Sequence, residues 1–435
     1  MKFTIVTLGC KVNQYESQAM AAMLEERGHF QAEEGEADAI IINTCSVTAE
    51  SSRKSRQTVR RMKAGNQNAA IAVCGCFSQV SPREAESLGA DLVCGSGDRI
   101  KLVESVEDLF DERQKESRSG TGQRIFVDDP FKRTLFEELP SGAVGERTRA
   151  MLKIEDGCDN FCSYCVIPYA RGRVRSLPLS SAKREVERLA LSGYREIVIT
   201  GIEIASYGKD LESGTGLAEL VETVSAAAPG VRFRLGSLEP TVVTEDFCRR
   251  ISKTGNVCNH FHLSLQSGCD SVLRAMRRRY DTARFFESVS LLREYFPGCA
   301  LTADLITGFP GETEEGHGET ICFIEKCGFA SMHIFPYSNR PGTRAAGMPG
   351  ALSRKEKADR AARAQAVADV MQERYLRGCV GTVQQVLFET GEEGRAFGHA
   401  GNYMRVSVCG EKLRGLVKNV NITGIIDKML VGEVI

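Results

Sequence analysis

No apolar run in this 435-residue chain approaches the roughly 18 residues that span a bilayer. The opening stretch MKFTIVTLGC lacks the apolar core and cleavage site of a secretory signal. These absences argue against a membrane or exported protein and make a cytoplasmic one, with no membrane partner, the expectation. Net charge is equally scarce: 56 basic against 57 acidic side chains leave −1, so no global field draws the chain to nucleic acid. No solenoid-type repeat is present. What remains is a globular composition, 42% hydrophobic, long enough for about two to four domains.

Cysteine, by contrast, is abundant, with 16 residues. Thiols stay reduced in the cytosol, so the count points to metal binding or thiol chemistry rather than a disulfide scaffold, with ordinary core cysteines among them. Positive charge is unevenly placed. Residues 51–63, SSRKSRQTVRRMK, carry six basic groups and no acid, RAMRRRYDTAR (274–284) is dense in arginine, and residues 340–378 hold nine basic against four acidic groups. One such run is ordinarily a solvated helix face. Three in a neutral chain point to a polyanionic partner.

Over the first 110 residues, FTIVTLGC, AIIINTC and AIAVCGC each read as a buried strand running into a cysteine, and DLVCGSG reads as a fourth. Near-continuous apolar runs separated by helices over 47–63 and 98–110 predict an open parallel α/β sheet covered on both faces. Ligands collect at the carboxyl ends of such strands, where Cys10, Cys45 and Cys76 fall. The polar stretch 112–124, ERQKESRSGTGQR, reads as a linker. It bounds a first domain over 1–118 and a connecting segment over 119–147. Over 148–370 six strands, RAMLKIED, REIVIT, VRFRLGS, HFHLSL, CALTADLI and SMHIFPY, alternate with helices, which fits an incomplete (β/α)6 barrel better than an eight-fold one. A charged helix is expected over 353–377. The glycine-broken strands TVQQVLFE, GRAFGHAG, MRVSVCG and LRGLVKNVNITGII make 371–435 a small all-β barrel.

The stretch 155–176, EDGCDNFCSYCVIPYARGRVRS, places three cysteines in one loop after the first barrel strand, where barrel active sites are built. Thiolates at this short spacing can wrap one iron–sulfur cubane and leave one iron open. Zinc is the competing reading, but a tetrahedral site normally needs a fourth Cys or His at a matching spacing. None follows, the next histidine being His260.

C-x-x-x-C-x-aromatic-C, here Cys158, Cys162, Tyr164 and Cys165, resembles the signature of the radical S-adenosylmethionine enzymes. The resemblance implies a [4Fe-4S] cluster whose open iron takes the amino and carboxylate groups of S-adenosylmethionine, which is then cleaved by one electron to a 5′-deoxyadenosyl radical. TLGCKVNQYES (7–17), NTCSVTAESSRK (43–54) and CGCFSQ (74–79) resemble the three-cysteine domain of methylthiotransferases. That likeness implies a second, auxiliary [4Fe-4S] cluster on Cys10, Cys45 and Cys76, with Cys74 a bystander. A core role is the ordinary reading for any single strand-end cysteine. SLEPTVVT, LSLQSGCDSVLRAMRRRY, DLITGFPGETEE and IFPYSNRPGT extend the likeness over nearly the whole chain, and 371–435 resembles the family's RNA-binding TRAM domain.

TLGCKVNQYES and MRRRY are nearest the branch acting on N6-threonylcarbamoyladenosine at position 37 of tRNA. The implied reaction uses one S-adenosylmethionine to methylate sulfur on the auxiliary cluster and a second to abstract hydrogen from C2 of the adenine. No catalytic acid or base is assigned, since the cofactors carry the hard chemistry. The implied partners are the tRNA anticodon loop, an electron donor such as flavodoxin or ferredoxin, and a sulfur source. Gly201, Glu239, Gln266 and Asp304, at or just after strand ends, are the cofactor-contact candidates. Arg171, Arg173 and Arg175 are candidates for tRNA phosphates or the threonyl carboxylate. TGIEIASYG (200–208) departs from the branch, which more often has His or Asn at the position of Glu203. Rival readings are methylthiolation of isopentenyladenosine or of a ribosomal-protein aspartate, a non-enzymatic iron–sulfur tRNA-binding or electron-transfer protein, and a zinc-only RNA-binding protein.

Overall fold

The computed structural model of the chain describes residues 1–114, 124–141 and 148–435. It divides into two compact units: Met1–Gly145, Lys153–Leu177 and Asn339–Thr343 make the first, and Glu146–Leu152, Pro178–Ser338 and Arg344–Ile435 the second.

The first unit alternates β1 (Lys2–Thr7), α1 (Lys11–Glu26), β2 (Phe30–Gln31), β3 (Ala39–Thr44), α2 (Ala49–Gly65), β4 (Ala70–Gly75), α3 (Cys76–Val80), α4 (Pro82–Ser87), β5 (Leu92–Cys94), α5 (Arg99–Gln114) and β6 (Arg124–Phe126). The strands form one parallel sheet in the order β2-β1-β3-β4-β5-β6. Every residue of β3 and β4 is buried, as strands covered on both faces require. Ile40, Ile42, Ile71 and Val73 pack with Val59 and Met62 of α2 and with Leu88. Thr48 caps α2 by accepting from the Ser51 N–H at 3.0 Å, an interaction that contributes about 1 kcal/mol.

The connecting segment differs from the expectation. Its residues Arg124–Phe126 pair with β5 and add a sixth strand, so the first unit runs past the boundary drawn at 118. Residues 115–123, most of the expected linker, and 142–147 lie outside the described residues.

After β7 (Arg149–Lys153), the antiparallel pair β8 (Glu155–Asp156) and β9 (Arg175–Ser176) brackets the cysteine-rich loop and the short α6 (Ile167–Arg171). The second unit continues with α7 (Leu179–Leu191), β10 (Glu196–Thr200), α8 (Leu217–Ala227), β11 (Arg232–Leu235), β12 (Ser237–Leu238), α9 (Glu245–Ser252), β13 (His260–Gln266), α10 (Asp270–Ala275), α11 (Thr282–Tyr295), β14 (Ala300–Thr307), α12 (Glu314–Cys327) and β15 (Ser331–Pro336). The sheet runs β7-β10-β11 and then β12-β13-β14-β15, with only Gly236 between β11 and β12. This is the six-unit incomplete barrel anticipated from the alternation.

α13 (Arg354–Cys379) starts at a reciprocal capping box between Ser353 and Glu356. Beyond it, β16 (Val383–Glu392), β17 (Arg395–Ala400), β18 (Arg405–Cys409), β19 (Val417–Ile426) and β20 (Met429–Val434) close a small barrel in the order β16-β17-β18-β20-β19. Phe388, Val406, Val420, Ile422 and Leu430 fill it, joined by Leu376 and Cys379 of α13. Arg232 and Arg234 of β11 donate to the Gln385, His399 and Gly401 carbonyls, each at 2.9 Å. Glu196 of β10 balances both guanidiniums, at 2.6 and 2.8 Å. Among the described residues, no helix is long and apolar enough to cross a membrane.

Candidate active site

Cys10, Cys45 and Cys76 all follow strand ends of the first sheet, with Cys10 at the start of α1 and Cys76 opening α3. They are mutually close, because Cys10 and Cys45 each feel the charge of Cys76 and Cys45 also feels that of Cys10. Burial first, then Cys76, pushes the Cys45 thiol up to about 11. Three thiols whose ionised forms would repel one another match a metal centre, whose positive charge would hold such ligands deprotonated.

The turns delivering these cysteines are tightly made. Gly75, just before Cys76, has φ +102°, and a Cβ there would lie 2.4 Å from the Thr44 carbonyl oxygen, so only glycine fits. The Asn13 amide donates to the carbonyls of Leu8 (2.8 Å) and Thr44 (3.0 Å), tying the turn after β1 to that after β3. The Ser55 hydroxyl accepts from the Cys45 N–H at 3.2 Å. Cys74, inside β4, is fully buried, and burial pushes its thiol up to about 11, consistent with a bystander.

Arg171 reaches into this centre from the end of α6. It has no solvent exposure. Its Nε donates to Cys76 Sγ at 3.4 Å, its Nη2 to Asn13 Oδ1 at 2.9 Å, and its guanidinium pairs with Glu16. Glu16 also accepts from Arg99 at 2.7 Å and Lys153 at 3.1 Å, while Lys153 reaches Asp156 at 2.7 Å. Burial alone would raise the Glu16 carboxyl, but Arg171, Arg99 and Lys153 together hold it well below the usual range. Dry charges persist only when paired in this way.

Two of the three arginines assigned to tRNA are therefore corrected. Arg171 is committed to Glu16 and Cys76, and Arg175 is 4% exposed, donating to the Arg173 carbonyl at 2.6 Å and lying 3.6 Å from Asp156. Glu16, the main partner of Arg171, lies far away in sequence, and Asp156, which both arginines approach, is brought to them only by the pairing of β8 with β9, so a local run of arginines looked like a surface. Arg173 alone faces solvent, with its side chain 65% exposed and 3.3 Å from Asp159.

Cys158, Cys162 and Cys165 are half-buried. The Cys158 N–H donates to the Gly172 carbonyl at 3.0 Å, and the Cys165 N–H closes a turn onto Cys162 at 3.0 Å. The Ile167 N–H donates to Cys165 Sγ at 3.4 Å, the kind of contact that tunes a cluster-ligating sulfur. Gly157, φ +87°, admits no side chain, since a Cβ would lie 1.9 Å from the Arg173 carbonyl oxygen. Phe161 stacks on Phe131 at 6.3 Å and meets Tyr169 edge-on at 6.0 Å.

In the second unit Gly201 directly follows β10, Glu239 follows β12, and Gln266 is the last residue of β13. Gln266 has φ +65° where the register against β14 shifts, an irregularity that re-aims a side chain. Glu239 is buried and lies 3.9 Å from Arg278. Glu203 lies near enough to Glu239 and Arg278 to feel both charges. It accepts from the Ala205 N–H at 3.3 Å, and burial, with Glu239 second, raises its carboxyl to about 7. Asp304 is not at a strand end but inside β14, and its carboxylate lies between His262 and His333. Sequence reasoning missed Asn13, Glu16 and Lys153. The first two sit on the buried face of α1, and a polar residue on an otherwise apolar face was the available signal.

Comparisons with known proteins show the family. The description "Uncharacterized protein family UPF0004" matches residues 2–95 and "Radical SAM superfamily" matches residues 152–324. A Bacillus subtilis protein named threonylcarbamoyladenosine tRNA methylthiotransferase MtaB is 37% identical over 96% of this chain and 92% of its own length. A Thermotoga maritima protein of the same name is 38% identical over 88% of this chain and 86% of its own. A Symbiobacterium thermophilum tRNA-2-methylthio-N(6)-dimethylallyladenosine synthase is 33% identical over 99% and 94%. Among solved structures, the radical S-adenosylmethionine methyltransferase TsrM from Kitasatospora setae superposes with TM-score 0.55 at 15% identity, covering 79% of this chain and 76% of that one. At that identity the likeness is one of fold.

Proposed function

The chain belongs to the radical S-adenosylmethionine tRNA methylthiotransferases, and from that premise we propose that it converts N6-threonylcarbamoyladenosine at position 37 of tRNA to its 2-methylthio derivative. What carries the choice of nucleoside is the nearly full-length match, at 37 and 38% identity, to relatives named for threonylcarbamoyladenosine. A second reading, the dimethylallyl nucleoside, draws on the 33% relative that spans nearly all of this chain.

Cys158, Cys162 and Cys165 would hold a [4Fe-4S] cluster through three thiolates, which would supply one-electron chemistry to the cofactor. Cys10, Cys45 and Cys76 offer a second such set for an auxiliary cluster. Bound S-adenosylmethionine and the clusters supply methyl transfer and hydrogen-atom abstraction from an unactivated carbon. The chain's own residues hold and shield these groups. Arg171 donates to the Cys76 sulfur and fixes it through Glu16. Gly201, Glu239 and Gln266 are the cofactor contacts of the barrel, the buried Glu239 suiting an ammonium or a ribose hydroxyl. Asp304 is engaged by two imidazoles and is assigned below.

Exposed Arg173 is the candidate for phosphate contact. The terminal barrel, whose likeness is to the TRAM domain, reads RNA by shape. A flavodoxin or ferredoxin as electron donor and a separate sulfur source complete the proposal. The test is a single-turnover assay with anaerobically reconstituted protein and tRNA carrying either modified adenosine. Methylthiolation of the threonylcarbamoyl form alone supports the reading. Preference for the dimethylallyl form, or for a ribosomal protein, overturns it.

A further inference from the structure

Three side chains on adjacent strands of the second unit converge on one point. Asp304 of β14 stands directly opposite His333 of β15, and Thr302, two residues earlier on the same face, stands opposite His262 of β13. Side chains two apart on a strand share a face, so His262, Asp304 and His333 form one patch. His262 Nε2 lies 3.2 Å from one Asp304 oxygen, and His333 Nδ1 lies 3.1 Å from the other. One ligand atom from each of the three lies within 4.8 Å of the others.

We propose that His262, Asp304 and His333 bind one divalent transition-metal ion. Two imidazoles and one carboxylate are the donor set favoured by zinc and ferrous ions. Tetrahedral bonds of about 2.0–2.1 Å place neighbouring ligand atoms roughly 3.3 Å apart, near the 3.2 Å between His262 Nε2 and one Asp304 oxygen, and the three groups need only draw together from within 4.8 Å. An outer layer is also present. His262 Nδ1 lies 2.8 Å from the Thr302 hydroxyl, which lies 3.1 Å from His260 Nε2. With an ion bound, Thr302 would accept from His262 Nδ1–H and donate to His260 Nε2, leaving the His262 Nε2 lone pair for the metal. Metal-ligating histidines are ordinarily oriented by a hydrogen bond of this kind at the other ring nitrogen.

Access fits as well. The side chains of His262 and Asp304 are 13% and 28% exposed, while that of His333 is 65% exposed, so an ion can enter beside the His333 ring. Three protein ligands leave a coordination position open for an oxygen donor such as water or a carboxylate.

Zinc is the probe. Cluster-loaded protein is dialysed anaerobically against buffered Zn2+, and iron and zinc are counted per chain for the wild type, His333→Ala and Thr302→Val. The expected result is one Zn2+ per wild-type chain, with affinity at least tenfold weaker in both variants at unchanged iron content. Equal zinc binding by wild type and His333→Ala overturns the proposal. Zinc-edge X-ray absorption of the wild type alone provides a readout that no folding defect can confuse. Nitrogen and oxygen neighbours at about 2.0–2.1 Å support the site, and sulfur neighbours at about 2.3 Å refute it by placing the zinc on cysteines.

Discussion

Glu203 offers the sharpest electrostatic test of the barrel interior around Glu239 and Arg278. Its carboxyl is raised to about 7 from an ordinary 4.5, by burial first and the Glu239 charge second, with Arg278 opposing. A carboxyl raised by folding contributes stability that is fully present below its unfolded value and is lost as pH rises through its folded value. At 1.36 kcal/mol per pK unit, the loss approaches about 3 kcal/mol at alkaline pH, of which about 2.5 kcal/mol falls between about pH 5 and about pH 8. Glu203→Gln keeps the shape and the acceptor for the Ala205 N–H but removes the charge. Urea unfolding of cluster-loaded protein, followed by circular dichroism at both pH values, measures the difference. The variant is expected to be slightly more stable than wild type at the acidic pH and about 3 kcal/mol more stable at the alkaline one. A gap that stays constant with pH refutes the reasoning, because Glu203 would then titrate as a solvated carboxyl.

The two sets of cysteines separate by function: Cys158→Ala abolishes 5′-deoxyadenosine formation, whereas Cys45→Ala retains part of it and inserts no sulfur, as chromatography of the cofactor products beside nucleoside analysis reports. Equal loss of both activities contradicts that division. Arg171→Met leaves Glu16 and Asp156 short of a buried cation and lowers unfolding stability by about 3 kcal/mol or more. Arg173→Ala stays within about 0.5 kcal/mol of wild type, yet weakens tRNA binding and flattens its salt dependence by about one counterion. Thermal melts and filter binding over a salt series read both arginine effects.

The parts legible in the sequence are those whose signal is local. β3 and β4 announce themselves as apolar runs ending at Cys45 and Cys76, because a strand covered on both faces must be continuously apolar. The six barrel strands are read from short runs between helices, some of them alternating, as HFHLSLQ does. β6 escaped because three residues, RIF, in a polar segment carry no periodicity, and its place is set by pairing with β5. β20 escaped because Gly432 interrupts a short run. The site was half-legible for a related reason. Spacing singles out Cys158, Cys162 and Cys165 as candidates, but whether Arg171 meets solvent or Glu16 depends on a residue far along the chain. Arg171 and Glu16 are 155 positions apart, and nothing near GRVRS hints at the partner. The convergence of His262, Asp304 and His333 likewise appears only once three strands are in register.

The central claim is the identity of the modified nucleoside. Mass spectrometry of total tRNA nucleosides from cells lacking this chain tests it most directly. The account predicts that 2-methylthio-N6-threonylcarbamoyladenosine disappears, its unmethylthiolated parent accumulates, and both return to normal when the gene is restored. Undiminished 2-methylthio-N6-threonylcarbamoyladenosine, with loss of the dimethylallyl methylthio nucleoside in its place, would contradict it.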